Sequence, residues 1–412
     1  MNEKNNNPDK QTEQNSVDTE QSQKLPFYKN DNFIIIAEIA VIVLLVLVIV
    51  FVLIGGNGGD KNNNDNGGGS GDIGSGDNSG NNDNPDMEKK QYKSWTFSYF
   101  DTVSYFYGWE AEESEFAAMN TEIQTLLGEY HKLFDIYNEY DGIVNLCALN
   151  KVVDGQHQML QVDRKIIDML LYAKEMYAKT DGKMNIAMGS VLSIWHDYRT
   201  AGLDEPWNAE LPPMDRLTEA AKHTNIDDII IDEENSTVWL RDPEMKLDVG
   251  AFAKGYAVEM VAKMIEEKGK TGYTINVGGN VRTVGTKGNG DKWKTGIENP
   301  NDTSQYIEII KLAGEAVVTS GSYQRYYYVD GKSYHHIIDP ETLMPASKGF
   351  VSVSVICKDS GLGDGLSTAL FCMSIEDGMA FVNSLDGVEA MWVTDDEVKY
   401  YSNGFNSFVA EK

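Results

Sequence analysis

The stretch Gly363–Leu370, GDGLSTAL, sets Asp364 and Thr368 four residues apart. On a helix that spacing puts both side chains on one face. A carboxylate beside a hydroxyl is a pair of hard oxygens, suited to Mg²⁺ rather than to zinc. Taken alone, the same residues also suit a helix cap and a core threonine. Lys246–Tyr256, KLDVGAFAKGY, offers a second kind of chemistry. It reads as a short apolar strand ending in Asp248, a small-residue turn Val249-Gly250-Ala251, and a helix beginning near Ala253. A glycine at such a turn lets a ligand approach the backbone closely. The helix start presents free N–H groups and a positive dipole end to phosphate. Lys254 adds a mobile positive charge one turn in, and Asp248 can hold a ribose, an amide or a metal.

Three further stretches carry weaker signals. Gly278-Gly279-Asn280 lies between TINV and VRTV. It marks either a bend where something large meets the backbone or a simple β-bulge. Thr319-Ser320-Gly321 follows a strand, where its hydroxyls suit phosphate or merely form a turn. His335 and His336 lie on the return strand of a hairpin that turns at Asp330-Gly331. Adjacent strand residues face opposite sides, so the two cannot chelate one metal and only one can face a given site. A histidine beside a phosphate site titrates near neutrality and can act as a base. The helix start with Lys254, the Gly-Gly wall, the hydroxyl turn and the Mg²⁺-type pair together suit a bound pyrophosphate.

The elements that must position these residues follow from periodicity. Phe116, Met119, Ile123, Leu127, Tyr130 and Phe134 recur at helical spacing, which predicts a long amphipathic helix over Glu112–Asn138. Further helices are expected over 163–179, 186–199, 253–268, 363–374 and 376–385. Strands are expected within 95–109, in a hairpin over 229–240 turning near Asn235, and in a β-rich region from Tyr273 to Val329. A strand over 350–357 and a closing hairpin over 388–401 complete the reading. Helices and strands mix without strict alternation, so the fold class is α+β, a single mixed α/β domain.

That domain begins near Met87. Before it lie a polar tail at 1–32, an apolar run at 33–54 broken only by Glu38, and a Gly/Asn/Asp/Ser linker at 55–86. The tail has almost nothing to bury and is expected to be disordered. The run matches a bilayer crossing of roughly 20 residues and is expected to be an uncleaved transmembrane anchor. Lys24 and Lys29 before it favour a cytoplasmic N-terminus and an extracytoplasmic domain at the cell membrane. The linker is a flexible tether. With 64 acidic against 35 basic residues, a net charge of −29, nucleic acid is excluded as the main partner. Three widely spaced cysteines, Cys147, Cys357 and Cys372, form neither a disulfide framework nor a zinc site.

In this combination the residues resemble the ApbE family of FAD:protein FMN transferases. The resemblance spans about 95–385 and rests on seven stretches in the family's order. They are LFDIYNEYDGIVNLCALN, TDGKMNIAMGSVLSIW, KLDVGAFAKGYAVE, YTINVGGNVRTVG, WKTGIENP, VVTSGSYQRYYYVDGKSYHHIIDPET and GDGLSTAL. The resemblance implies an α+β catalytic domain of the ApbE (T-fold-like) type. It implies an Mg²⁺-dependent enzyme that moves the FMN moiety of FAD onto a Thr or Ser hydroxyl of an acceptor protein and releases AMP. The acceptor would be a membrane redox subunit or an FMN-binding domain. Tyr140 would line the flavin; Lys183, Met184 and Asn185 would form a loop against FAD; Asp248, Lys254 and Ile338 would contact it. The Ala251 carbonyl, Asp364 and Thr368 would hold Mg²⁺. His336, rather than His335, would deprotonate the acceptor, so His336 and Asp364 are the catalytic candidates. The chain departs from the family pattern at Phe100-Asp101, where the family has Met-Gly, at Met184-Asn185, where it has Phe-Asp, and at Leu343, where it has Gly. An FAD pyrophosphatase using water, or a flavin-binding protein without catalysis, are the alternatives.

Overall fold

The computed structural model describes residues 88–411. The expected tail, anchor and linker lie outside the described residues. Among the described residues no helix is long and apolar enough to cross a membrane.

Eight antiparallel strands form the main sheet, and their spatial order is their chain order. They are β1 (Lys90–Tyr99), β2 (Thr102–Glu110), β3 (Tyr273–Val277), β4 (Asn280–Val284), β5 (Ala316–Gly321), β6 (Ser352–Cys357), β7 (Glu389–Val393) and β8 (Lys399–Tyr401). Alternation along the strands decides the two faces. On β6 and β7, Val353, Val355, Ala390 and Trp392 enter the main core, whereas Ile356, Met391 and Val393 point to the other side. The main-core face is covered by α1 (Glu113–Phe134), α5 (Ala253–Glu267), α6 (Ser360–Phe371) and α7 (Ile375–Asn383). In that order they lie against β1–β2, β3–β4, β5–β6 and β7. The opposite face is capped by a long hairpin, Trp293–Asn299 with Asp302–Leu312, whose Ile297, Ile310 and Leu312 pack on Val281, Val317 and Ile356.

The remaining elements stand beside the sheet. They are α2 (Arg164–Lys179), α3 (Gly189–Asp204), α4 (Met214–Ala220) and the hairpin Tyr326–Val329 with Lys332–His335. A small core of Val191, Ile194, Trp195, Leu217, Tyr327, Val329 and Ile338 joins α3, α4 and that hairpin. The α+β expectation therefore agrees with the architecture, a helix layer on an antiparallel sheet. Two local expectations do not. Lys246–Asp248 is no sheet strand, because its only ladder contact is a single parallel bridge from Lys246 to Met188. Thr319-Ser320-Gly321 is no turn, since it is the end of β5 paired with β6.

Candidate active site

The chemistry-bearing residues gather at one end of the sheet, where β1 hands over to β2, β3 to β4, and β5 ends. The β3–β4 turn is Gly278-Gly279, both left-handed at φ 57° and 91°. It is a tight hairpin rather than a bulge, and a Cβ on Gly278 would stand 2.6 Å from the Thr102 hydroxyl. The large neighbour that the glycine admits is therefore the protein's own β2.

The next residue, Asn280, is buried and donates its side-chain N–H to Asp364 Oδ2 at 2.9 Å. The Gly255 backbone N–H, in the first turn of α5, donates to the same oxygen at 2.8 Å. Asp364 Oδ1 receives no hydrogen bond from the described residues. One carboxylate oxygen is thus saturated, which fixes the group, and the other is left for a ligand. Gly255 is required for this approach. A Cβ there would lie 2.3 Å from the Ser360 carbonyl and 2.5 Å from Asp364 Cβ. The anion at the start of α5 is accordingly Asp364 itself, not a phosphate alone, and the helix dipole favours it. Burial pushes the Asp364 carboxyl up, against the Lys254 charge, the Gly255 N–H and Asn280.

One turn along α6, Thr368 donates to the Ala251 carbonyl at 3.2 Å. Thr368 and the Ala251 carbonyl thus touch, one helical turn from Asp364: a carboxylate, a hydroxyl and a carbonyl, all hard oxygens. That donor set fits Mg²⁺, which takes few protein ligands and completes its shell with water and phosphate oxygens. Among the described residues no group of three or more His, Cys, Asp or Glu gathers to hold a metal. Lys254 forms no ion pair among the described residues, which leaves its ammonium available to an anionic ligand.

The frame around this centre is charged and buried. Arg282 of β4 bonds Glu259 of α5 at 3.0 Å, and Glu259 in turn accepts the Ser360 N–H at 2.9 Å. This ties α5, β4 and the start of α6 together. The hydroxyls of the Thr319-Ser320 stretch are spent in the same frame. Thr319 bonds Ser354 at 2.7 Å and Ser320 bonds Ser367 at 2.8 Å, so both hydroxyls already have a partner within the protein.

The second group of residues lies around the 326–335 hairpin. His335 ends its return strand, and His336 follows just past it. The His335 ring is fully engaged: Nδ1 accepts the Ile337 N–H at 3.2 Å and Nε2 donates to the Ala346 carbonyl at 2.8 Å. It also packs edge-on against Phe371. The His336 ring bonds only through Nδ1, at 3.2 Å from the Arg325 carbonyl. A carbonyl can only accept, so Nδ1 carries the proton and Nε2 holds the free lone pair. Burial, and then the Arg325 charge, push this ring well below its ordinary pKa, which keeps it neutral. Asp248 is bent back onto the Gly250 N–H at 2.9 Å. Burial raises its pKa, while Gly250, His196, Arg199 and Arg325 oppose that rise.

The remaining candidates are placed less simply. Tyr140 donates its hydroxyl to Asp135 at 2.8 Å and its ring face lies near Lys132 and His131. Lys183 pairs with Glu341 at 2.5 Å. Met184 is fully buried in the main core, so only its backbone can face a ligand. Asn185 spends its amide on the Thr224 carbonyl and the Ala187 N–H, both at 2.9 Å. Ile338 is buried in the small core beside α3. Sequence spacing did not single out Asn280 as the partner of Asp364, nor Arg199 and Arg325 as neighbours. Those contacts join residues far apart in the chain, where no local period carries a signal.

Fold and site together define an α+β protein in which a buried carboxylate, a hydroxyl and a backbone carbonyl gather beside a lysine without an ion pair among the described residues. A model of the ApbE family matches residues 95–392, and the chain belongs to that family. It is similar to the FAD:protein FMN transferase of Klebsiella pneumoniae, 31% identical over 269 residues, covering 64% of this chain and 81% of the relative. It is also similar to that of Vibrio cholerae, 30% identical over 297 residues, covering 71% and 85%. Among solved structures it resembles the ApbE protein of Thermotoga maritima, with TM-score 0.67 and 27% identity over 78% of this chain and all of that one. It resembles likewise the flavin transferase ApbE of Vibrio cholerae, with TM-score 0.63 and 25% identity over 78% and 99%. The protein is an enzyme, a transferase.

Proposed function

We propose that this chain transfers the FMN moiety of FAD to a Thr or Ser hydroxyl of an acceptor protein and releases AMP, with Mg²⁺ required. The observation that carries the reading is the Asp364 carboxylate. One oxygen is fixed by Gly255 and Asn280 and the other is free, with the Thr368 hydroxyl, the Ala251 carbonyl and Lys254 beside it. In the reaction the acceptor oxygen bonds the phosphorus on the FMN side of the pyrophosphate. The bond from that phosphorus to the bridging oxygen breaks, and AMP leaves with the oxygen. Bound Mg²⁺ would neutralise charge on the phosphates. The chain's own part is to orient and to move the proton. Lys254 draws the pyrophosphate to the start of α5. His336 Nε2 takes the hydroxyl proton, and the Arg325 carbonyl keeps the ring in the tautomer that can do so. Tyr140, Lys183 and the 184–185 backbone line the flavin side.

The relatives' names support the transferase reading over a pyrophosphatase that uses water. The test is incubation of the full chain with FAD, Mg²⁺ and candidate membrane redox subunits. Mass spectrometry should find FMN added to a Thr or Ser, with one AMP released per transfer. AMP and free FMN in equal amounts, with no adduct, would make it a hydrolase. We also propose that the domain lies outside the cell membrane behind an anchor at 33–54, a reading supported by the apolar run and by Lys24 and Lys29 before it. Protease treatment of intact cells should remove the domain, and full protection would overturn that placement.

A further inference from the structure

The long hairpin that caps the second face of the main sheet covers only part of it. The core beneath it draws on β4, β5, β6 and β7, and no residue of β1, β2 or β3 enters that core. Register and alternation say what stands on the uncovered part. Phe106 of β2 enters the main core, so Tyr105 and Tyr107 project from the opposite face. Trp95 pairs with Tyr105 and Lys93 with Tyr107, which puts both β1 residues on that face too. Phe97 comes two residues after Trp95, and the two rings meet edge to face at 5.4 Å. Trp95 is 56% exposed and Phe97 41%. The Tyr107 hydroxyl is pushed up by burial first, then by Tyr105 and by Tyr306 of the capping hairpin, so the three stand together. Tyr306 is itself exposed.

Two observations name what lies against this face. The first is where the chain enters the domain. β1 is the outermost strand of the sheet, and it follows closely on the 55–86 segment and the apolar run at 33–54. The Gly/Asn/Asp/Ser composition of that segment sets an expected reach on the order of 30 Å. A domain tethered in this way to an anchor in the bilayer meets lipid at high effective concentration. The second observation is charge. From Lys89 to Phe100 the chain has three lysines and no acid, although it carries 64 acidic residues in all. The one acid of β2, Glu110, is buried and accepts the Tyr273 hydroxyl at 2.6 Å. Trp and Tyr rings among lysine stems are the composition that settles at the headgroup level of a bilayer.

Resting on the anchor proposed above, we infer that the β1–β2 face lies on the bilayer surface, with Trp95 and Phe97 among the lipid headgroups and Lys93 at their phosphates. The Phe100-Asp101 turn that ends β1 is at the end of the sheet where the Asp364 centre gathers. Docking through this face therefore holds that end of the domain at the membrane surface. The rival occupant of the face is protein, either a second copy of this chain or another partner.

The test uses the full chain reconstituted in phosphatidylcholine vesicles and reads the fluorescence of one residue. No Trp precedes Trp95, so the anchor contributes no signal. The Trp95 signal is the difference between wild type and Trp95→Phe, a variant that keeps an aromatic ring on the face. Lipid brominated high in its acyl chains should quench that signal by roughly half or more, and aqueous iodide should not reach it. In Trp95→Phe with Phe97→Trp, the new ring should be quenched as Trp95 is. Trp207, 77% exposed just past α3, is the control. Its signal, read through Trp207→Phe, should be open to iodide and untouched by brominated lipid. Equal quenching of Trp95 and Trp207 by the lipid would mean that no particular face is chosen, and would overturn the inference. Trp95 open to iodide and untouched by bromine would leave the face in water, which also overturns it. Trp95 shielded from both would give the face to a second copy or another protein. A chain washed off the vesicles by alkaline carbonate would fail at the anchor instead, and would overturn the inference on that separate ground.

Discussion

The Asp364 half of the site and the His336 half are built in different ways. Asp364, on α6, is held by bonds from two further elements, α5 and β4, and α5 and α6 both pack on the main sheet. Behind it stands a buried chain of charge, Arg282 to Glu259 to the Ser360 N–H. His336 follows a two-stranded hairpin outside that sheet, held by the Arg325 carbonyl and by Tyr327 packed into the small core. A two-stranded hairpin is marginal by itself. The difference suits a division of labour. On the proposed reading, the half that would take a small ligand is fixed beforehand, and the half that would meet a protein stands outside the sheet and leans on α3.

The largest effect should come from the fixed half. Asp364→Asn keeps an acceptor for Gly255 and Asn280 and so keeps the fold, but removes the charge. We expect transfer to fall about 10³-fold, with a thermal unfolding curve near that of wild type. Wild-type rates at low Mg²⁺ would place the metal elsewhere. On the hairpin half, His336→Ala should slow transfer at least ~100-fold while FAD binds nearly normally. His335→Ala should act mainly through stability, because its ring is spent on Ala346, Ile337 and Phe371. Equal losses of rate in both histidine variants would erase the distinction between base and brace.

The histidine also has a pH signature. Its folded pKa is lowered by burial and by Arg325. The unfolded chain therefore binds this proton more readily, and the stability tied to neutral His336 is present above about pH 6.5 and lost as pH falls. Asp364 and Asp248 are raised instead, so they act in the opposite sense. The informative quantity is the difference between wild type and His336→Gln. Below about pH 6 that difference should shift in favour of the variant. A difference independent of pH would mean the ring is not held neutral by its surroundings.

A stability test probes how rigid the Asp364 half is. Gly255→Ala drives a methyl to 2.3 Å from the Ser360 carbonyl, a backbone atom that cannot swing aside. The expected cost is ~1–3 kcal/mol in urea unfolding, together with a higher Mg²⁺ requirement as Asp364 is displaced. An alanine tolerated without either change would show that α5 and α6 can slide apart.

Much of this was legible in the chain because it is local. Helix α5 ends within one residue of its expected bounds, and strand Tyr273–Val277 agrees with expectation at both ends. The Asp330-Gly331 turn has both residues left-handed, at φ 50° and 77°, as a two-residue hairpin requires. What was not legible depends on partners distant in sequence. Lys246–Asp248 has a strand's composition, but its neighbours are Ile186 and Met188 rather than the sheet. The Thr319 and Ser320 hydroxyls look free in sequence and are consumed by Ser354 and Ser367. The side chain of Met184 fills the core that Asn185 and Lys183 flank, a distinction that three adjacent letters cannot make. Arg199 and Arg325 become neighbours only once α3 and the hairpin meet.

The smallest expected effect lies between the two halves, at the turn from β1 to β2. Phe100 and Asp101 both adopt left-handed backbone, at φ 54° and 51°, and Leu343 does so at φ 59°. Asp101 and Leu343 are two of the positions where the resemblance expects glycine, and the backbone explains why. A side chain in that region costs roughly 1–2 kcal/mol, less for aspartate, whose carboxyl can bond locally. Leu343 is compensated: its side chain packs against the small core and its carbonyl accepts the Trp195 ring N–H at 2.9 Å. Asp101 is exposed and has no such return. Asp101→Gly should therefore stabilise the fold by about 0.5–1 kcal/mol, the relief of strain less the entropy that glycine adds to the unfolded chain. Leu343→Gly should gain nothing, since lost packing offsets the relief. The Asp101 charge also helps raise the Tyr137 and Tyr140 pKa values, after burial, and Tyr140 is a proposed flavin contact. FAD affinity measured on Asp101→Gly then separates two cases. Unchanged affinity with higher stability makes the strain a tolerated cost of the turn. Weaker FAD binding with higher stability would show that the turn is held strained because its carboxylate serves the site.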